Sequence, residues 1–151
     1  MSSQTDIKNH DPIHTPPTDI WTLLGLSSGG YELYELLHNG LPYAYYERLS
    51  VILKGAGDEL RRCLGISSAT LSKRRKAGRL SLAEGDRLWS VAAVLNDAFV
   101  LFGNDLDSAI KWMGTPSRAL NLKTPLEMLD TRVEMNAVRD LIGRLEEGVL
   151  V

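Results

Sequence analysis

Between Ser67 and Arg79 the chain sets three small hydroxyl residues, Ser68, Thr70 and Ser72, among and ahead of five cations, Lys73, Arg74, Arg75, Lys76 and Arg79. Serine and threonine hydroxyls can hydrogen-bond base edges, and Lys and Arg can meet bases or backbone phosphates. The set therefore suits the major groove of a nucleic acid. Bond-making chemistry finds few candidates. His38 is the one histidine beyond the first twenty residues, and no spacing pairs it with Cys63, the single cysteine. His10 and His14 stand four apart, which binds metal only on a helix, and Pro12, Pro16 and Pro17 argue against a helix there. Glu146 and Glu147 are neighbours, so on a helix they diverge. These residues imply no catalytic group, no metal and no cofactor.

Charge sharpens the reading. From Gly57 to Leu80 seven basic residues stand against Asp58 and Glu59, a balance of +5, while the whole chain carries −2, leaving −7 elsewhere. A basic patch on an otherwise acidic chain is the electrostatic footprint of a polyanion partner. For Lys73 to Lys76 alone a second reading stands: cations at a helix end complement its dipole in plain solvent. The turn in front of them favours the first.

That turn belongs to the elements that must hold the set. Leu64 closes one helix, Gly65 takes a left-handed conformation, Ile66 drops into the core, and Ser67 or Ser68 caps the next helix. Leu71 is that helix's only large apolar residue. Asp58 is expected to cap the preceding helix, with Leu60, Cys63 and Leu64 inward. Cys63 reads as a small core residue, and alone it forms no intrachain disulfide.

Upstream, residues 1–20 are polar and proline-bearing and read as a mobile tail. Trp21 to Leu26 is a short apolar piece. Tyr31 to His38 carries Leu33, Tyr34, Leu36 and Leu37 at helical spacing and stops at Asn39-Gly40. A helix from Tyr43 to Leu53 follows, with Ala44, Leu49, Ile52 and Leu53 as its buried side. Tyr43, Tyr45 and Tyr46 read as packing residues rather than a base-stacking platform.

Downstream, Leu82 to Phe102 is the longest helix, with Leu88, Val91, Ala92, Leu95, Phe99 and Phe102 recurring every three or four residues. It is either the spine of the domain or a dimer surface. Asp105 caps a helix to Met113 that carries Leu106, Ile110 and Trp112. Thr115-Pro116 and Thr124-Pro125 read as two helix starts, the second a capping box with Glu127. Thr131 caps the last helix, whose stripe is Met135, Val138, Leu141, Ile142 and Leu145, and Gly148 ends it. Val149, Leu150 and Val151 remain. Either they fold back on their own domain or fray, or they are a plug offered to a partner, with Arg144, Glu146 and Glu147 as its polar rim.

No segment alternates like a strand, so the fold class is all-α. At 151 residues and 44% hydrophobic, the chain is expected to bury a core. No apolar run has membrane-spanning length and no signal-peptide core stands at the start, so a cytoplasmic protein is expected, with no membrane partner.

The chain resembles the Xre/MbcA/ParS family of toxin–antitoxin antitoxins from about Leu41 to Val151. The likeness rests on Gly40-Leu41-Pro42, on Leu64 to Ser67 with Thr70 to Arg74, and on Gly78 to Ser81 with Asp86-Arg87-Leu88. Further along it rests on Ala109 to Met113, Thr115 to Leu120, Thr124 to Leu129 and Leu141 to Val149. It implies an Xre-like helix-turn-helix that binds operator DNA and dimerises, over residues 21–103 after a tail of 1–20. It also implies a small helical toxin-binding domain over 104–151. The partner implied is a RES-domain toxin that consumes NAD, with the antitoxin's last helix and tail over the toxin's cleft and no NAD on the antitoxin itself. The residues assigned to the toxin are then Trp112, Arg144, Glu146, Glu147, Gly148, Val149, Leu150 and Val151. Two departures stand out. Asn121-Leu122-Lys123 replaces what is often a glycine pair and a basic residue. Arg61-Arg62 puts charge where smaller residues are common, so either Arg61 snorkels or the packing differs. A free-standing dimeric repressor and an adaptor with a degenerate helix-turn-helix are the alternatives. The all-hydroxyl front of the helix reads bases more weakly than Gln or Asn would.

Overall fold

The computed structural model describes residues 19–148, and among them the secondary structure is helical apart from two isolated bridges. The helices are α1 (Ile20–Leu24), α2 (Tyr31–His38), α3 (Ala44–Ile52), α4 (Gly57–Leu64), α5 (Ser68–Ala77), α6 (Leu82–Leu101), α7 (Leu106–Met113) and α8 (Arg132–Glu146). Two 3₁₀ turns, Arg118–Leu120 and Leu126–Leu129, link α7 to α8. Of the tail expected over residues 1–20, the part before Asp19, with its paired histidines, lies outside the described residues, and its last two residues are not tail at all. Asp19 itself caps α1 by accepting from the Thr22 N–H at 2.7 Å, and Ile20 is fully buried.

The longest helix is the spine. Leu88, Val91, Ala92, Val94, Leu95, Ala98 and Phe99 of α6 are all fully buried. Apolar residues on so many sides need cover on as many. α1, α2, α4, α7 and α8 provide it. One continuous core runs from Ile20 in α1 to Ile142 in α8. A capping box starts the spine: the Ser81 hydroxyl accepts the Glu84 N–H at 3.2 Å, and the Glu84 carboxylate accepts the Ser81 N–H at 2.9 Å.

Three local expectations fail, each for a visible reason. Ala44 is exposed, and the buried side of α3 is made by Tyr46 and Leu49, with Tyr43 just before it. The Tyr43 and Tyr46 rings sit 5.4 Å apart and Tyr46 Oη donates to the Gly57 carbonyl at 2.7 Å, so both are packing residues as read. Asp58 is not the cap of α4. Ala56 holds that place, and Asp58 lies in the first turn pairing with Arg61 at 3.3 Å. Thr115-Pro116 starts no α-helix, because the Thr115 hydroxyl donates back to the Lys111 carbonyl at 2.6 Å and finishes α7 instead. Thr124 and Glu127 do form their reciprocal box at 3.0 Å, but it opens a single 3₁₀ turn.

Candidate nucleic-acid and partner interfaces

The turn before α5 is shaped by Gly65, left-handed at φ 73°. A Cβ there would also run into Arg87 Nη1. Two arginines occupy the turn's carbonyls: Arg87 Nη1 donates to Leu64 O at 3.2 Å and Arg61 Nη1 to Ile66 O at 2.7 Å. Arg61 is therefore the snorkelling arginine, its side chain only 19% exposed and its head bonded across the turn. Ile66 packs against the core but is half-buried rather than sunk in it.

Ser67 is the cap of α5, accepting the Thr70 N–H at 3.1 Å. No residue of α5 is buried, and Leu71 alone leans on the core. At about 100° per residue, the positions opposite Leu71 are Ala69, Ser72, Lys73 and Lys76. All four are exposed. Their spacing of i, i+3, i+4 and i+7 marks one outward stripe.

The five cations divide. Lys73 and Lys76 are exposed and make no ion pair with a described residue. Arg74 Nε and Nη2 donate to the two oxygens of Glu84 at 2.7 and 3.1 Å. Arg75 Nε reaches Tyr43 Oη at 3.4 Å, with the guanidinium 5.9 Å over that ring. Arg79 Nη1 donates to the Asn39 carbonyl at 2.8 Å. Burial pushes the Glu84 carboxyl up, but the Arg74 guanidinium and the Ser81 N–H outweigh it and hold it below the usual carboxylate range. The same hydrogen bond raises Arg74 further.

The sequence alone puts all five cations on one surface. The structure sends two outward and ties three to their own body. It also brings forward two residues that reasoning missed. Ala69 shares the outward stripe, and helical spacing from Ser72, Lys73 and Lys76 was the available signal. Glu84 holds Arg74, and its place in the Ser81 box was the clue to its position though not to its partner.

At the other end, Arg144, Glu146, Glu147 and Gly148 are exposed, with Arg144 and Glu147 lining a shallow cleft beside Arg139, Asp140 and Gly143. Trp112 is half-buried, its ring 6.2 Å from Phe102. Val149, Leu150 and Val151 lie outside the described residues. Cys63 is buried with Sγ 3.7 Å from the Leu126 carbonyl, and burial followed by the charge of Asp130 pushes its thiol up to about 12. His38 is exposed at the end of α2. Among the described residues no cluster could hold a metal ion and no helix is long and apolar enough to cross a membrane.

Two family descriptions match this chain: an antitoxin Xre-like helix-turn-helix domain over residues 32–93, and an antitoxin Xre/MbcA/ParS C-terminal toxin-binding domain over residues 97–148. The two matches meet inside α6. An Antitoxin Xre of Yersinia enterocolitica is 34% identical over 140 residues, covering 89% of this chain and 95% of that protein. An Antitoxin Xre of Photorhabdus laumondii is 32% identical over 133 residues, covering 87% and 90%.

Proposed function

Because the chain belongs to the Xre/MbcA/ParS family of antitoxins, we propose that it restrains a RES-domain, NAD-consuming toxin through its C-terminal residues and reads its own operator through α5. The observation that supports the DNA half is the stripe Ala69, Ser72, Lys73 and Lys76, outward on a helix that buries nothing. Small side chains let the helix approach base edges, and the two free lysines meet phosphates. Arg75 and Arg79, although each is hydrogen-bonded to its own body, stay exposed and add phosphate contacts beside this stripe. Ser68 and Thr70 stand at the helix N-terminus, where backbone N–H groups favour a phosphate. Arg74 acts through position, by holding α5 on α6.

The toxin half rests on the exposed end of α8. Arg144, Glu146, Glu147 and Gly148 lead into Val149, Leu150 and Val151, an apolar plug with a charged rim that covers the toxin's cleft. Trp112, half-buried against Phe102, is a second toxin contact in this reading. The chain neither turns over substrate nor carries NAD. The working division is a segment of 1–18 ahead of α1, a DNA-binding and dimerising region of 19–103 that takes in the cap Asp19 and the buried Ile20, and a toxin-binding region of 104–151.

A homodimer belongs to the same reading, since helix-turn-helix proteins bind paired half-sites. An apolar cleft of about 550 Å³ between α2 and α6, lined by Tyr34, Leu37, Leu82 and Ala83, supports it. His38 and Asp86 sit on its rim and would pair across a two-fold axis.

Separation of function tests the whole. Cells expressing the toxin are given wild type, a chain lacking residues 148–151, or Lys73→Ala/Lys76→Ala, while growth, cellular NAD and operator binding are followed. The truncated chain should lose protection of the NAD pool and keep the operator, and the double variant should do the reverse. Full protection by the truncated chain would sink the plug.

A further inference from the structure

We propose that Leu122 is an apolar knob that a distorted loop holds out for insertion into a socket on the partner toxin. This rests on the toxin-binding reading above and adds a contact well before the C-terminal tail.

The loop from Ser117 to Lys123 is closed by its own backbone. Ser117 N donates to Lys123 O at 3.0 Å, Leu122 N to Ser117 O at 2.8 Å, and Lys123 N to Leu120 O at 3.1 Å. Leu120 anchors it from below at 5% exposure. Closure forces two successive residues into the left-handed region, Asn121 at φ 57° and Leu122 at φ 66°. Asparagine tolerates that region, but leucine brings its Cβ against the following carbonyl and is disfavoured there. A glycine would make the same turn freely.

Burial does not repay leucine for the strain. Leu122 is 69% exposed. Strain and wet apolar surface at one residue, with no internal return, mark a group used outside the chain. Lys123 Nζ lies 3.9 Å from Glu134 Oε2, and Val133, the residue before Glu134, is 80% exposed. The loop carries Arg118 and Lys123 and no acid. Lys123 is answered by Glu134 of its own chain, so the socket that suits the loop is apolar. The loop lies inside the stretch of 97–148 that matches a toxin-binding domain, which favours the toxin over DNA or a second copy as occupant.

The test uses full-length chain, the purified toxin and an operator duplex. Leu122→Gly should melt higher than wild type when free, because it sheds the strain. It should bind toxin at least tenfold more weakly, because it loses the knob. Leu122→Asn, which keeps the left-handed turn without the apolar surface, should lose toxin affinity equally, while Leu122→Met should keep it. Operator affinity and oligomeric state should not move. Unchanged toxin affinity for the Gly and Asn variants overturns the knob while leaving the toxin reading intact. A shift in operator binding or oligomeric state instead assigns the loop to DNA or to a second copy and overturns it too. A wild-type chain that binds no toxin sinks both.

Discussion

Arg74 and Glu84 face each other across the gap between α5 and α6, joined at two points, 2.7 and 3.1 Å. The same carboxylate caps the first turn of α6 through the Ser81 N–H. One acid therefore starts the spine and holds down a helix that has no buried residue of its own. Leu71 is α5's main apolar anchor, and the ion pair sets how far the stripe of Lys73 and Lys76 stands out.

This pairing carries a pH dependence. The Glu84 carboxyl is pushed up by burial, yet its hydrogen bonds leave it below the ordinary 4.5. A depressed folded value means the pair's contribution is complete above the ordinary carboxylate range and is lost as pH falls through the lowered one. Melting temperature measured at stepped pH should fall below about pH 4.5, and Glu84→Gln should flatten that limb while lowering the plateau. Asp19 and Asp105, both also held low by hydrogen bonds within their caps, contribute with the same sign in wild type and variant alike. A Gln variant with the wild-type slope would remove Glu84 from this role.

Lys73 and Lys76 should behave differently from Arg74. Each lysine contacts a phosphate in the proposed complex, so each Lys→Ala change should weaken binding to all sequences and lower the salt slope by about 1. Neither should shift the melting temperature, since both side chains are exposed and make no ion pair with a described residue. Arg74→Ala should lower melting temperature and operator affinity together, because it releases α5. Titration of operator affinity against salt, beside thermal melts of the same variants, separates the two classes. A flat salt response in wild type would contradict phosphate binding altogether.

The helices were legible because their signals are local. Leu88 to Phe99 repeats at helical spacing, and Ser67, Asp105 and Thr131 each accept the N–H three residues on, as their types imply. Asp58 and Thr115 show the limit: a capping residue type caps only where no other partner claims its side chain, as Arg61 claims Asp58 and the Lys111 carbonyl claims Thr115. The outward stripe was half legible, since helical spacing alone selects Lys73 and Lys76 over Arg74. The Arg74–Glu84 pair, the Arg75–Tyr43 contact and the Arg79–Asn39 bond were not, because they depend on which helices meet. Leu122 was visible as a departure in composition, but its left-handed backbone emerges only when Ser117 and Lys123 close the loop.

Cys63 supplies a probe of how the two halves hold together. Its Sγ–H points at the Leu126 carbonyl, 3.7 Å away, so α4 of the helix-turn-helix meets the 3₁₀ turn ahead of α8 at a buried contact. The thiolate is the reactive form, and raising the thiol from 9.0 to about 12 cuts that form roughly a thousandfold at neutral pH before access is counted. Native protein should therefore resist a thiol reagent. Reactivity should appear in step with the loss of helical circular dichroism along a denaturant titration, since α6 runs through one core shared by both halves. Labelling that begins well before the helices melt would mean that the C-terminal half detaches first and that the contact between Cys63 and Leu126 opens in the native state. A Cys63→Ser variant adds a second check. It places a hydroxyl among Leu60, Leu64 and their neighbours and should cost about 1–3 kcal/mol, unless the serine reaches Leu126 O and recovers part of it.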